Sequence, residues 1–188
     1  MQEPSDEALM LNYSAGNSEA FASLYARYKG PLYRYLVRQC QNSAVAEELY
    51  QDTWERVMGA RDSYAPTAKF STWLYTIAHH RAVDHHRRER GFVAVPVDSD
   101  NDDDMPHPVL AAPESQQPEH LADRQQQVGL FFAALDTLPA EQREAFVLQE
   151  EGLSLDAIAT VTQTNVEAVK SRVRYAITKL RRALGNGT

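Results

Sequence analysis

Apolar residues recur every three or four positions through most of this chain. No segment alternates apolar and polar residues for long enough to predict a strand. In the first 90 residues this pattern predicts four helices, which begin near Ser5, at Asn17 or Ser18, at Ser43 and at Phe70. Gly30-Pro31 should kink or divide the second helix, because proline removes a backbone donor. The chain is therefore predicted to be all-α.

A segment of different composition separates two helical parts. Gly91–Pro118 holds five prolines and has almost no helical pattern after Val97. Pro96–Asp123 has eight acidic residues and no Lys or Arg, so its charge alone exceeds the net charge of -7 of the whole chain. A like-charged stretch of low hydrophobicity cannot offset the entropy lost on ordering. We therefore predict two small helical domains, residues 1–92 and 121–188, joined by a flexible acidic linker over residues 93–120.

The last helical part has the pattern of a helix-turn-helix. A short helix is predicted from Ser154 to Val161, followed by a polar turn from Thr162 to Asn165, a length that joins two helices at a steep angle. Thr164 and Glu167 have the spacing of a capping box, so the second helix should begin there. Between Val166 and Leu184 this helix has six basic residues and one acidic residue. Such a helix can place its N-terminus in the major groove of DNA while flanking cations hold phosphates.

A simpler interpretation of this part is a helical hairpin whose basic face is only solvated, because charged helix faces are common. The periodicity by itself leaves the two interpretations equal. The capped turn, Ala159 before it and the basic start of the second helix favour DNA binding.

The fourth predicted helix offers a second candidate surface for nucleic acid. It combines aromatic residues with a basic end, and single-stranded nucleic acid needs stacking for its bases and charge for its phosphates. The alternative is that the aromatic residues belong to the core and the arginines only solubilise the helix end. We favour core or wedge packing for Trp73 and backbone contact for the cations. The cations are Arg81, Arg87, Arg88 and Arg90, and the aromatic residues are Phe70, Trp73, Tyr75 and, in the preceding loop, Tyr64.

The sequence predicts neither a metal nor a cofactor. The four histidines of this helix are one, five, six and seven positions apart, whereas a helical metal pair needs three or four. They are His79, His80, His85 and His86. The single Cys40 excludes an internal disulfide and is predicted to be a buried thiol. No signal peptide is visible, and no apolar run approaches the about 20 residues that span a bilayer, so we expect a cytoplasmic chain without membrane insertion.

Three segments, in this order, resemble bacterial sigma factors of the sigma-70 superfamily, in the small two-domain extracytoplasmic-function (ECF) group. Ala44–Met58 (AVAEELYQDTWERVM) resembles the region that docks on the clamp helices of the RNA polymerase β′ subunit. Phe70–Arg88 resembles the region that reads and melts the -10 promoter element. Leu138–Leu184 resembles the domain that reads the -35 element. The resemblance implies a region 2 domain, a region 4 domain and no catalytic activity.

By position, the resemblance assigns residues of this chain to three surfaces. Core polymerase would be bound by Glu48, Gln51, Asp52 and Glu55, with Trp54 as the anchor. The -10 element would be bound by Tyr64, Lys69, Trp73, His80, Arg81, Arg87 and Arg88, with Tyr64 stacking on an unpaired base. The -35 element would be bound by Lys170, Ser171, Arg172, Arg174, Tyr175 and Lys179. Two positions depart from the usual pattern, because His80 stands where asparagine is frequent and Thr162 where glycine is frequent.

The resemblance also implies partners. These are the RNA polymerase core, through its β′ clamp helices and β flap, the promoter duplex, the melted non-template strand of the -10 element, and an anti-sigma factor. The linker would lie toward the active-site and RNA-exit channels of the polymerase. Its acidic run Asp98–Asp104 would shield the basic helices in the free protein.

Three other functions fit parts of the sequence. A repressor or activator that acts without polymerase would need a dimer surface, and none is visible. A decoy that sequesters an anti-sigma factor would not need the basic faces present here. A metal-dependent hydrolase would use the histidines with Asp84. The order of the three sigma-like segments favours the sigma factor.

Overall fold

The computed structural model describes residues 3–89 and 119–185, and for residues 119–126 it describes the backbone alone. Within these residues all regular structure is helical, which confirms the all-α prediction. The helices are α1 (Asp6–Ser14), α2 (Ser18–Cys40), α3 (Ser43–Gly59), α4 (Phe70–Glu89), α5 (Glu119–Asp136), α6 (Ala140–Glu150), α7 (Leu155–Val161) and α8 (Val166–Gly185). Almost all of the predicted linker lies outside the described residues, as do Asp98–Asp104 and Arg90. The boundaries of the two domains stay a prediction.

Polar side chains cap the N-termini of α1, α2, α3 and α7. Ser5, Asn17, Asn42 and Ser154 each accept a hydrogen bond from a backbone N–H two or three residues ahead, at 3.0–3.3 Å. Each bond satisfies a donor that the first turn of a helix leaves without an intrahelical partner. The predicted starts of α1, α2, α3 and α7 are confirmed to within one residue.

The longest helix, α2, passes through a proline. Of the two outcomes expected at Gly30-Pro31, division of the helix is wrong, because α2 is continuous from Ser18 to Cys40. Proline removes one helix hydrogen bond, but Leu32, Tyr35 and Leu36 directly after it are fully buried. Packing of α2 against α1, α3, α4 and α6 outweighs this local defect.

The start of α8 also differs from its prediction. Asn165 caps this helix, since its Oδ1 accepts a hydrogen bond of 2.7 Å from the backbone N–H of Ala168. The capping box expected from Thr164 and Glu167 is therefore wrong. The backbone N–H of Thr164 bonds to the carbonyl of Ala159 at 3.0 Å and closes the turn. Asparagine caps a helix as well as threonine does, so the spacing rule selected the wrong one of two neighbouring candidates.

Two groups of buried side chains meet inside the molecule. The group between α1 and α4 includes Met10, Leu24, Leu36, Val57, Phe70 and Leu74, and the group between α5 and α8 includes Leu135, Leu148, Ile158, Val161, Val173 and Leu180. They belong to one apolar cluster, because α6 packs on α2 and α7 packs on α4. This contact between the two halves was not predicted from the sequence.

The one cysteine lies at the end of α2 and is half-buried. Burial raises the pKa of the Cys40 thiol to about 11. At neutral pH the thiol is therefore protonated, and the burial predicted for it is only partial. Among the described helices, none is both long and apolar enough to cross a membrane.

We expect two leucines one turn apart on α8 to differ strongly in their contribution to stability. Leu180 is 4% exposed and Leu184 is 40% exposed. Leu180→Ala removes buried apolar volume and leaves a cavity, so it should lower the free energy of unfolding by about 2–5 kcal/mol. Leu184→Ala is the matched control and should change it by less than about 1 kcal/mol. Urea unfolding followed by circular dichroism measures both, and equal losses would contradict the packing of α8 described here.

Candidate nucleic-acid interface

The basic side chains of α8 follow directly on the turn of the helix-turn-helix. Lys170 and Lys179 are exposed, and Ser171, Arg174 and Tyr175 are half-buried. Lys170 Nζ lies 2.7 Å from Glu167 Oε1 on the same helix. The Arg174 guanidinium lies 5.8 Å from the ring centroid of Tyr175. The first three turns of α8 thus present cations together with hydroxyl groups that can donate hydrogen bonds.

Arg172 has a different environment from its neighbours on α8. Its guanidinium forms an ion pair of 2.6 Å with Glu141 of α6, and its side chain is 25% exposed. This pair joins the recognition helix to the helix behind it. The structure therefore gives Arg172 a positioning task within the C-terminal half.

The turn before α8 contains a residue in the left-handed region. Gln163 has φ of 52°, whereas Thr162 ends α7 with φ of -89°. Gln163, and not Thr162, thus adopts the left-handed conformation, one residue after the position where glycine was expected. The side-chain amide nitrogen of Gln163 lies 2.8 Å from His80 Nε2 of α4. This contact brings two predicted DNA surfaces together.

Three aromatic rings pack at the start of α4. Tyr64, in the loop before this helix, lies edge-on to Trp73, with ring centroids 5.0 Å apart, and also contacts Phe70. Tyr64 and Trp73 are half-buried, and Phe70 is fully buried. The Tyr64 hydroxyl is buried without a hydrogen-bond partner among the described residues. The structure therefore brings Tyr64 and Trp73, two of the residues predicted for the -10 surface, into contact, and Trp73 lies between core and surface.

A carboxylate of α1 caps the start of α4. Glu7 Oε1 of α1 accepts a hydrogen bond of 2.7 Å from the backbone N–H of Phe70. This bond lowers the pKa of Glu7 below its ordinary value of 4.5. The sequence gave no signal for it, because the two residues are 63 positions apart. Glu7 thereby positions the aromatic residues next to the loop.

Exposed cations lie at both ends of α4. Lys69 precedes the helix, and its last turn carries Arg87 and Arg88. Arg81 is half-buried, forms an ion pair of 2.6 Å with Asp84, and lies 3.7 Å from Asp52 of α3. Arg88 Nε also donates a hydrogen bond of 3.3 Å to the carbonyl of Asp84, and Arg81 ties α4 to α3.

The histidines of α4 contact different partners. His79 faces Glu144 of α6, and His80 faces Gln163. His85 lies 3.4 Å from Glu89. Among the described residues no group of three or more His, Cys, Asp or Glu side chains could hold a metal ion.

The exposed face of α3 is acidic. Glu48, Gln51 and Glu55 are exposed and Asp52 is half-buried. Trp54 is only 4% exposed, because it lies on the core stripe of α3. The predicted anchor therefore cannot reach a partner unless the core rearranges.

Two tyrosines form the aromatic surface above Trp54. The rings of Tyr25 and Tyr50 lie 5.0 Å and 6.3 Å from the Trp54 ring, and their hydroxyls are 3.1 Å apart. Tyr25 is exposed and Tyr50 half-buried. Sequence reasoning missed both, although each aromatic side chain lies within reach of the acidic face.

An open cleft of about 640 Å³ lies between α3 and α4. It joins side chains that were assigned from the sequence to two different surfaces. Its charged and aromatic lining consists of Asp52, Glu55, Arg56, Trp73, His80 and Arg81. The acidic face of α3 and the aromatic and basic face of α4 are therefore two walls of one depression.

Family models match both halves of the chain. Residues 24–92 match the model described as Sigma-70 region 2, and residues 130–180 match the model described as Sigma-70, region 4. The RNA polymerase sigma factor CarQ of Myxococcus xanthus is 33% identical over 180 residues, which is 94% of this chain and 95% of CarQ. The ECF RNA polymerase sigma factor SigK of Mycolicibacterium vanbaalenii is 30% identical over 188 residues, which is 95% of this chain and 89% of SigK.

Two solved structures are similar to the fold. CnrH, in complex with the cytosolic domain of CnrY, aligns with a TM-score of 0.67 at 22% identity and covers 98% of this chain and 100% of its own. The sigma factor RpoE of Bartonella quintana, in complex with the anti-sigma factor NepR, aligns with a TM-score of 0.63 at 23% identity, over 89% of this chain and 98% of its own.

The cap that Glu7 provides to α4 should give stability that depends on pH. A carboxyl whose pKa is lowered by folding stabilises the fold above its unfolded pKa and loses that effect as pH falls through the folded pKa. At neutral pH, Glu7→Ala should lower the free energy of unfolding by about 0.5–2 kcal/mol. The difference from the wild type should shrink well below pH 4.5.

Urea unfolding at neutral pH and at a pH well below 4.5 tests this expectation. Glu150→Ala removes an exposed carboxylate elsewhere and serves as the control, with little effect at either pH. A difference between wild type and Glu7→Ala that is the same at both pH values would contradict the role of the carboxylate.

Proposed function

Because the chain belongs to the sigma-70 family of RNA polymerase sigma factors, in its ECF group, we propose which of its surfaces read the promoter and which bind the polymerase. It directs promoter-specific transcription initiation and is not an enzyme, since the polymerase carries out the chemistry. The observation that carries this function is the succession of region 2 and region 4 within a chain whose relatives align over nearly its full length.

The first surface is the N-terminal part of α8, which reads the -35 element in the major groove. Lys170, Ser171, Arg174 and Tyr175 are the base-reading candidates, and Lys179 contacts the phosphate backbone. Support comes from their position directly after the turn and from the exposure of both lysines. Arg172 acts mainly through its ion pair with Glu141, which fixes the recognition helix for docking.

The second surface is the aromatic start of α4, which captures an unpaired base of the -10 element. Tyr64 stacks on the base and Trp73 supports it from behind. Stacking of a base on an aromatic ring contributes about 1–3 kcal/mol, which offsets part of the cost of unstacking it from the duplex. His80 and the cations Lys69, Arg81, Arg87 and Arg88 follow the path of the non-template strand.

The third surface is the acidic face of α3, which docks on the β′ clamp helices of the core polymerase. Glu48, Gln51, Asp52 and Glu55 supply charge complementary to a basic partner, which speeds and orients docking. Tyr25 and Tyr50 supply the aromatic contact there, and Trp54 supports their rings from the core. This arrangement replaces direct anchoring by Trp54.

The C-terminal half would contact the β flap of the polymerase. Val128 and Leu130 of α5 and Leu184 of α8 are large apolar side chains that are 40–52% exposed. If these side chains form one contiguous patch when the half docks, they would bury apolar surface against the flap. Binding of both halves to one polymerase then raises the effective concentration of each DNA contact.

An anti-sigma factor is a further proposed partner. The RpoE protein of Bartonella quintana is bound to the anti-sigma factor NepR in its structure. We infer that this chain is held in a similar way in the cytoplasm until a signal releases it.

Run-off transcription with purified core polymerase tests the function directly. Fragments of the host genome serve as templates, with and without this protein. Transcripts that need both the protein and the core are expected, and their start sites define the -35 and -10 elements. Direct DNA binding without any core-dependent transcript would reject the sigma function in favour of a repressor or activator.

The same promoters test the α8 surface. Lys170→Ala should weaken holoenzyme binding by about 1–3 kcal/mol if Lys170 reads a base. If it contacts only phosphate, the loss should be similar on all sequences and the salt slope should fall by about 1. Arg182→Ala is the control, because it removes the same charge from an exposed position three turns further along α8. Equal losses for the two variants would contradict recognition by the N-terminal part of the helix.

Tyr64 should act through its ring and not through its hydroxyl. Tyr64→Phe keeps the ring and removes a hydroxyl that has no partner among the described residues, so promoter opening should stay near the wild-type level. Tyr64→Ala removes the stacking surface and should lower opening by about 5- to 150-fold, as expected from a loss of about 1–3 kcal/mol. Permanganate reactivity of unpaired thymines measures opening, and thermal melting of the protein controls for folding. Equal opening by the Ala and Phe variants would reject base stacking on Tyr64.

A further inference from the structure

The loop between α3 and α4, residues 60–69, carries Tyr64 and is mostly exposed. From residue 61 to residue 69 Tyr64 is half-buried and the other residues are exposed. The backbone hydrogen bonds within the loop are local, from Ser63 to the carbonyl of Ala60 at 3.1 Å and from Thr67 to that of Ala65 at 2.8 Å. A segment of this kind loses conformational entropy when it is held in one arrangement. Contacts from outside the loop therefore decide where Tyr64 is held.

The last turn of α1 binds the start of this loop. The Ser14 hydroxyl donates a hydrogen bond to the backbone carbonyl of Arg61, which is 47 positions away in sequence. The guanidinium of Arg61 also lies 5.6 Å from the ring centroid of Tyr13. Two neighbouring residues of α1 thus hold the chain at Arg61, directly after the end of α3 and shortly before Tyr64.

The first turn of the same helix binds the end of the loop. Glu7 Oε1 accepts the hydrogen bond of 2.7 Å from the backbone N–H of Phe70. Phe70 directly follows the loop, and its ring centroid lies 6.4 Å from that of Tyr64. Glu7 and Ser14 are about 10 Å apart along the axis of α1, so one helix holds both ends of the loop. We call the Ser14–Arg61 and Glu7–Phe70 hydrogen bonds the two α1 contacts.

α1 is itself fixed to the core of the N-terminal half. Met10 is fully buried, and the Asp6 carboxylate accepts hydrogen bonds from Arg27 and Tyr28 of α2. The ring of Tyr28 also lies 5.3 Å from that of Phe70. The two α1 contacts therefore connect the loop to α2, and not only to a peripheral helix.

The Sigma-70 region 2 model matches residues 24–92, and α1 precedes that range. The match therefore assigns no function to Glu7 or Ser14. A support at each end of a loop lowers the entropy that the loop loses when it binds a ligand, which is the general effect of preorganisation. Here the ligand of the loop is the base proposed to stack on Tyr64.

We propose that α1 positions the loop for base capture, with Glu7 and Ser14 holding residues 60–69 so that the ring of Tyr64 stacks on the unpaired base of the -10 element. The inference rests on the stacking proposed above for Tyr64, and it adds two positioning residues that act through Tyr64 without touching DNA. Loss of either α1 contact leaves docking on the polymerase and on the promoter duplex intact. It lowers the fraction of complexes that open.

Three variants and two controls test the α1 contacts in the full-length chain. Glu7→Ala and Ser14→Ala each remove one contact, whereas Glu7→Gln keeps an oxygen that accepts from the backbone N–H and should lie closer to the wild type than to Glu7→Ala. Asn42→Ala removes the cap of α3 and should lower the melting temperature about as much as Glu7→Ala, because both remove a helix cap. Asn12→Ala removes an exposed side chain of α1. Thermal melting confirms the fold of each variant.

The first measurement reports the environment of Tyr64 in the absence of DNA and polymerase. Fluorotyrosine replaces the nine tyrosines of the chain, and the fluorine NMR signal of Tyr64 is the one that Tyr64→Phe lacks. Glu7→Ala and Ser14→Ala should shift or broaden this signal, whereas Asn42→Ala and Asn12→Ala should leave it unchanged. A Tyr64 signal that neither α1 variant alters would overturn the inference, whatever the protein does on a promoter.

The second measurement is promoter opening by the holoenzyme, followed by the permanganate reactivity of unpaired thymines. Glu7→Ala and Ser14→Ala should each lower opening by about twofold or more, as for residues coupled through a shared contact. In a Tyr64→Ala background neither should cause a further loss, because both act through the ring. Losses of the same size in the two backgrounds would overturn positioning through Tyr64 and indicate an effect on folding alone. Absence of core-dependent transcripts with the wild type would instead reject the proposed function, and the NMR result does not depend on it.

Discussion

Burial of α2 is the constraint on which the rest of the molecule depends. This 23-residue helix contacts three helices of its own half and one of the other, and its buried side chains include Leu24, Leu32 and Leu36. Its apolar residues organise the first core, and its buried Tyr35 reaches the second half. Because so many contacts converge on it, α2 tolerates Pro31 in its interior. Tertiary packing, rather than local helix preference, decides the continuity of this helix.

Proteins that bind DNA usually carry net positive charge, and this chain has a net charge of -7. The structure reconciles the two facts by separating charges in space. Cations gather on α8 and at the end of α4, whereas the exposed face of α3 is acidic. Ion pairs such as Arg172–Glu141 and Arg81–Asp84 then orient some of the cations instead of leaving all of them to bind phosphate. Local potential, and not the total charge, governs which partner each surface can attract.

The sequence predicts the parts of the structure that depend on near neighbours. Helical periodicity gave the all-α fold, and the caps Ser5, Asn17 and Ser154 could be recognised because each bonds to a backbone group within three residues. The choice of cap for α8 failed because Thr164 and Asn165 are neighbouring candidates. At Pro31, division of the helix, one of the two predicted outcomes, is wrong because tertiary packing keeps α2 continuous.

The features that the sequence did not predict depend on distant contacts. Glu7 caps a helix 63 residues away, and no pattern of spacing reports such a bond. The family resemblance made Trp54 the anchor of the polymerase contact, whereas its place on the core stripe of α3 buries it. The contacts between the two halves, made by α2 and α4 with α6 and α7, join residues more than 60 positions apart. Such contacts are visible only in the three-dimensional structure. The family resemblance supplied the predicted interfaces, and the structure shows how their side chains pack.

Tyr35 of α2 and His79 of α4 share one acceptor, Glu144 of α6. A substitution at Glu144 therefore reaches both halves of the described structure at once. Side chains that share one network are energetically coupled, so the two halves should lose their structure in one cooperative transition and not one after the other.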